Sequence, residues 1–79
     1  MKDEIKQFIV QQFGLEEHTA LNVENNLIEN GIIDSMGMMR LIRFVEKKYG
    51  IEVAFEEMIP KNFESIQNIS NYITTKIQL

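Results

Sequence analysis

The residues best placed to do chemistry in this chain are Asp34 and Ser35, a small polar pair set between two apolar runs in NGIIDSMGMM. A serine hydroxyl can cap a helix, attack an activated carbonyl beside a base, or take up a covalent group. Capping is the plainest use, since Asp34 or Ser35 could accept from a free first-turn amide, worth about 1 kcal/mol. That explains one polar residue and leaves the other without a task. Nucleophilic catalysis needs more than the serine: IDSMG lacks the first glycine of a G-x-S-x-G turn, and no parallel sheet is expected. His18, the single histidine, stands in the polar stretch EEHT and reads as an exposed loop residue rather than a base or ligand.

Metal and nucleotide chemistry find less support. Asn22, Glu24 and Asn26 match the first oxygen ligands of a calcium loop, but Leu27 stands where glycine is required and Ile33 where the closing glutamate belongs. There is no metal cluster, phosphate-binding loop or dinucleotide fingerprint. Cysteine is absent, which excludes disulfides and thiolate metal sites. With 12 acidic and 8 basic residues the formal charge is -4, so nucleic acid and anionic membrane surfaces are poor partners. Charges interrupt the apolar residues of MKDEIKQFIV, which argues against a signal peptide, and no run approaches the roughly 18 apolar residues of a membrane span.

The elements that must position Asp34 and Ser35 follow from periodicity. Ile5, Phe8, Ile9 and Phe13 have helical spacing from Lys2 to about Phe13, and Gly14 supplies a stop. The stretch from Gly14 to Asp34 reads as a long loop pinned by Leu21, Val23, Leu27, Ile28, Ile32 and Ile33, and loops of that length usually serve function. Leu27 to Asn30 can form one helical turn closed by Gly31, although Asn-Gly also signals a hairpin. Ser35 to Tyr49 is the strongest helix, bounded by Asp34 and Gly50, with Lys47 and Lys48 complementing its dipole. Ile51 to Val53 alternates like a strand but has no partner, Pro60 can start a short helix through Phe63, and Ser65 can cap a last helix. Ile66, Ile69, Ile73 and Ile77 share one face of that helix, with Tyr72 beside them.

These elements predict one domain over residues 1–79, an all-α antiparallel four-helix bundle with three main helices, one short helix and a long first loop. At 100° per residue, Met38, Leu41, Ile42, Val45 and Tyr49 form the core stripe of the second helix, with Phe44 at its margin. Arg40, Arg43, Glu46 and Lys47 fall on the opposite, solvated face. Met36 and Met39 also fall there, and methionine adapts to partners of different shape.

GIIDSM, opening a helix after a long anchored loop, resembles the modification site of the acyl carrier and peptidyl carrier proteins. The likeness extends over nearly the whole chain, through LIENGIIDS before the site, FVEKKYGIEV at the helix exit and FESIQNISNYI in the last helix. It implies a free-standing, monomeric, cytoplasmic carrier and not an enzyme. It also implies 4'-phosphopantetheine covalently attached at Ser35, flanked by Asp34 and Gly37, with an acyl or aminoacyl cargo held as a thioester. The implied partners are a phosphopantetheinyl transferase, an AMP-forming ligase and downstream acyl-processing enzymes.

The chain departs from the fatty-acid type after the Asp-Ser-aliphatic triplet. Gly37, Arg40 and Arg43 stand where acidic docking residues are usual, so Met36, Met39, Arg40 and Arg43 are expected to meet a more apolar or acidic partner surface. Gly37 weakens the first turn by up to about 1 kcal/mol relative to alanine, and its expected return is close approach of a partner to the backbone. Seven aromatic residues, five Phe and two Tyr, are expected to fill the bundle, which favours a short or aminoacyl cargo. The competing reading is an unmodified helical interaction module in which Ser35 only caps and the methionine and arginine face binds a partner.

Overall fold

The computed structural model describes residues 1–14 and 21–77, and His18 lies outside them. Helix α1 spans Lys2–Gln12, α2 Ser35–Tyr49, α3 Pro60–Phe63 and α4 Ile66–Ile77, with a single 3-10 turn at Phe55–Glu57 before α3. There is no strand among the described residues, and the fold is an all-α bundle of four helices.

The apolar stripes read from the sequence meet in one core. Ile5 and Ile9 of α1, Leu41 and Val45 of α2, and Ile66, Ile69 and Ile73 of α4 are fully buried, each removal from water contributing about 1.5–3 kcal/mol. Phe8 stacks on Phe44 across α1 and α2, with ring centroids 4.0 Å apart. The two helices run antiparallel. Near the end of α2, Tyr49 Oη donates to Glu4 Oε1 at 3.1 Å and Lys48 Nζ lies 3.2 Å from Glu4 Oε2, while Phe13 after α1 meets Gly37 in the first turn of α2. Gly50 ends α2 in the left-handed conformation at φ 64°.

The connector after α2 is held by two carboxylates. Glu46, expected on the solvated face, is half-buried, and its Oε2 accepts from Val53 N at 3.0 Å. A side chain thereby takes an amide that a strand would have offered to a neighbour. Glu57 Oε1 accepts from Ala54 N at 3.0 Å, Tyr72 Oη at 3.1 Å and Lys76 Nζ at 2.9 Å, fastening the 3-10 turn to α4. The Lys76 ammonium, followed by the Ala54 amide, holds the Glu57 carboxyl below its ordinary value. Burial, followed by the bond to Glu57, pushes the Tyr72 hydroxyl up to about 12.

Pro60 occupies the start of α3, and Phe63 at its end is fully buried, 5.3 Å from the ring of Tyr72. Ser65 caps α4 as expected, its Oγ accepting from Asn68 N at 3.0 Å. Two expectations fail near the surface. Ile77, in the final turn of α4, is 50% exposed rather than part of the core face. Phe55 is 86% exposed, so one of the aromatic residues points out of the bundle instead of filling it.

Candidate functional site

The start of α2 is fixed by the loop before it, and that loop is fixed by the start of α4. Leu27 N donates to Glu64 O at 2.6 Å, and Gln67 N donates to Val23 O at 2.9 Å. Leu27 O in turn accepts from Ile32 N at 2.9 Å and Ile33 N at 3.1 Å. Between them the chain makes one turn, with Asn30 N bonded to Asn26 O at 3.1 Å, and reverses at Gly31 with φ +74°. This settles the Asn-Gly pair as a turn closure rather than a hairpin. Leu21, Leu27 and Ile33 are buried, so the segment leading to Asp34 is anchored by both backbone and core.

Asp34 is the N-cap of α2. Its backbone is extended, its Oδ1 accepts from Gly37 N at 2.7 Å, and its carbonyl accepts from Met38 N at 2.8 Å. The N-cap position is therefore filled by Asp34, without the Ser35 side chain. The Ser35 side chain is exposed, and its Oγ has no hydrogen-bond partner among the described residues. The amides of Ser35 and Met36 also meet no acceptor among them. A phosphodiester on Ser35 Oγ fits this arrangement, because it sets negative charge beside unpaired N–H groups at the positive end of a helix. No base is bonded to the Ser35 hydroxyl among the described residues.

Gly37 has a different reason for being glycine from the one its position suggests. It is buried, and a Cβ there would lie 2.6 Å from Phe13 Cε1 and 3.1 Å from Asp34 Oδ1. The backbone approach that glycine permits is made by Phe13 of the same chain, which corrects the expectation of an approaching partner. In the sequence Phe13 is only the last apolar residue of the first helical pattern.

The other residues expected to face partners are on the surface. Met36 is 72% and Met39 42% exposed, and Arg40 and Arg43 are exposed as well. Arg40 lines a shallow cleft with Phe13, Ile32, Asp34, Met36 and Gly37, whereas Arg43 and Met39 lie outside it. No group of three or more His, Cys, Asp or Glu side chains among the described residues could hold a metal ion. No helix among them is long and apolar enough to cross a membrane.

Comparison with known proteins agrees with this geometry. Residues 3–73 match the family model described as phosphopantetheine attachment site. The chain is 36% identical over 73 residues to an acyl carrier protein of Buchnera aphidicola subsp. Baizongia pistaciae, covering 92% of this chain and 90% of that one. It is 26% identical over 76 residues to an acyl carrier protein of Chlamydia caviae, covering 96% and 95%. Among solved structures, one described as the crystal structure of an FAD-dependent dehydrogenase contains a chain that superposes with a TM-score of 0.76 at 26% identity, covering 87% of this chain and 97% of that one. An open serine at a capped helix start and a family match across most of the sequence lead to one conclusion: this chain belongs to the phosphopantetheine attachment site family, and it is a carrier protein, not a catalyst.

Proposed function

We propose that Ser35 is the attachment point of 4'-phosphopantetheine, and that the protein is a free-standing carrier presenting an acyl or aminoacyl group to partner enzymes. The observation that carries this reading is the division of labour at the start of α2: Asp34 caps, and Ser35 is left exposed without a partner among the described residues. When attached, the arm supplies a thiol for thioester chemistry, which the chain's own side chains cannot, since cysteine is absent. The chain holds that arm on the first residue of a helix whose approach loop is tied to α4, so the phosphodiester end stays fixed while the thiol end swings.

The surface is compatible with the partners that the carrier reading implies. A phosphopantetheinyl transferase must reach Ser35 from solvent, and nothing among the described residues bonds to its hydroxyl. An AMP-forming ligase is proposed to load the carrier, docking on Met36, Met39, Arg40 and Arg43 through an apolar surface with acidic groups. Exposed arginines at Arg40 and Arg43 support that complementarity. A flavin-dependent dehydrogenase is proposed as a downstream partner. The solved chain that resembles this one is carrier-sized, being spanned over 97% of its length, and it belongs to a structure described by such an enzyme.

The reading is tested by incubating the protein with coenzyme A and a promiscuous phosphopantetheinyl transferase and taking an intact mass. The expected result is one added phosphopantetheine. No addition to a folded protein would return Ser35 to the role of an ordinary surface residue and favour the unmodified interaction module. Reversing Arg40 and Arg43 to glutamate should slow loading by the native ligase, and unchanged rates would remove the arginines from the docking surface.

A further inference from the structure

Ser35 stands in the chain between Asp34 and Met36, two of the residues that line the cleft beside α2. We infer that the pantoyl half of the arm rests in the cleft between the end of α1 and the start of α2, against Phe13 and Ile32, with Arg40 beside its phosphodiester. This rests on the reading of Ser35 as the attachment point and goes beyond it, since attachment alone says nothing of where the arm lies.

The cleft has a volume of about 190 Å³, and its walls include both sequence neighbours of Ser35, Asp34 and Met36. Helical Cβ atoms tilt toward the N-terminus, so a group on the first residue of α2 departs at the start of the helix, toward Asp34. A covalent tether of this length keeps the arm near the cleft at millimolar effective concentration, which occupies a contact too weak to bind free pantetheine.

The wall chemistry matches the order of groups along the arm. Arg40 places a guanidinium on the cleft, complementary to the phosphodiester next to Ser35. Phe13, Ile32 and Met36 then offer apolar surface to the geminal methyl groups of the pantoyl unit. Asp34 offers its second carboxylate oxygen to the hydroxyl and amide N–H donors that follow, its Oδ1 being bonded to Gly37 N at 2.7 Å. Gly37 shapes the floor: with no Cβ it lets the Phe13 ring sit against the first turn, where an alanine Cβ would come within 2.6 Å of Cε1. The feature that looked like an opening for a partner instead seats one wall of the arm's own resting place.

The test uses the full chain converted with coenzyme A labelled with carbon-13 in the pantetheine, with complete conversion shown by intact mass. Isotope-filtered NMR is expected to show cross-peaks from the pantoyl methyls to the Phe13 ring and the Ile32 methyls. Phe13→Leu should keep an apolar wall but remove the ring-current shift of those methyls, moving them toward their position in free pantetheine. Arg40→Gln, at an exposed position, should move the phosphorus-31 resonance of the phosphodiester, and Arg43→Gln, which is outside the cleft, should not. Cross-peaks confined to Met39, or arm resonances identical to free pantetheine, would overturn the proposal while leaving Ser35 as the attachment point. Failure of the conversion itself would overturn both.

Discussion

A serine opens α2 and another stands immediately before α4, and the two have opposite fates. Ser65 is 6% exposed and spends its Oγ on Asn68 N at 3.0 Å. Ser35 is exposed and spends its Oγ on nothing among the described residues, because Asp34 has already taken Gly37 N at 2.7 Å. Shifting the cap by one residue leaves the helix its cap at Asp34 and the Ser35 hydroxyl free for the modification proposed above. In α4 the same residue type is bound into the fold, beneath the loop contacts made by Gln67 N and Glu64 O.

The largest expected effect at the start of α2 is at Gly37. Gly37→Ala puts a methyl 2.6 Å from Phe13 Cε1, and overpacking of that kind costs about 1–3 kcal/mol, against which helix propensity returns about 1. A net loss of up to about 2 kcal/mol is expected in thermal unfolding, shrinking when Phe13→Leu is added. An unchanged midpoint in the single variant would show that the Phe13–Gly37 contact does not hold the first turn.

Next in size is Ser65→Ala, which removes a working cap and should cost about 1 kcal/mol, or about 4–8 °C in a domain of this length. Modification should be unaffected in that variant. The segment before α3 and α4 should also respond to pH. The Glu57 carboxyl lies below its ordinary 4.5 when folded, so its contribution is full above that value and is lost as pH falls through the lowered one. Tyr72, raised from 10.0 to about 12, contributes fully below pH 10 and loses that contribution as pH climbs to about 12. Melting curves of Glu57→Gln should show weaker dependence in both ranges; an unaltered profile would dissociate the clasp from both effects. The smallest expected change is Ser35→Ala, whose midpoint should stay within about 0.5 kcal/mol of the parent, as for other surface sites.

Much of this fold was legible in the sequence because the relevant signals are local. Asp34 and Gly50 mark the bounds of α2, Ser65 marks the start of α4, and Asn30-Gly31 marks the turn, all through backbone chemistry within a few residues. The core stripe of α2 was equally readable, since helical period alone sorts Leu41, Ile42 and Val45 from Arg40 and Arg43. What was hidden depends on contacts between distant parts of the chain. Gly37 has its reason in Phe13, Glu46 in Val53, and Glu57 in Tyr72 and Lys76, none of which a periodic pattern encodes. The exposure of Phe55 is of the same kind, because composition counts aromatic residues without saying which way they point.

The same asymmetry runs through the site. That Ser35 stands at a helix start could be read directly, but that Asp34 alone does the capping required the hydrogen bond to be seen. Without it the two polar residues compete for one role; with it the cap belongs to Asp34 and Ser35 is left for the role proposed above.

Whether Ser35, spare for structure, is the residue that takes the prosthetic group is decided by one paired mass measurement. Ser35→Ala and Ser65→Ala are each exposed to coenzyme A and a promiscuous phosphopantetheinyl transferase, with folding checked beforehand. One phosphopantetheine is expected on Ser65→Ala and none on a fully folded Ser35→Ala. A phosphopantetheine on folded Ser35→Ala, or none on folded Ser65→Ala, would contradict it.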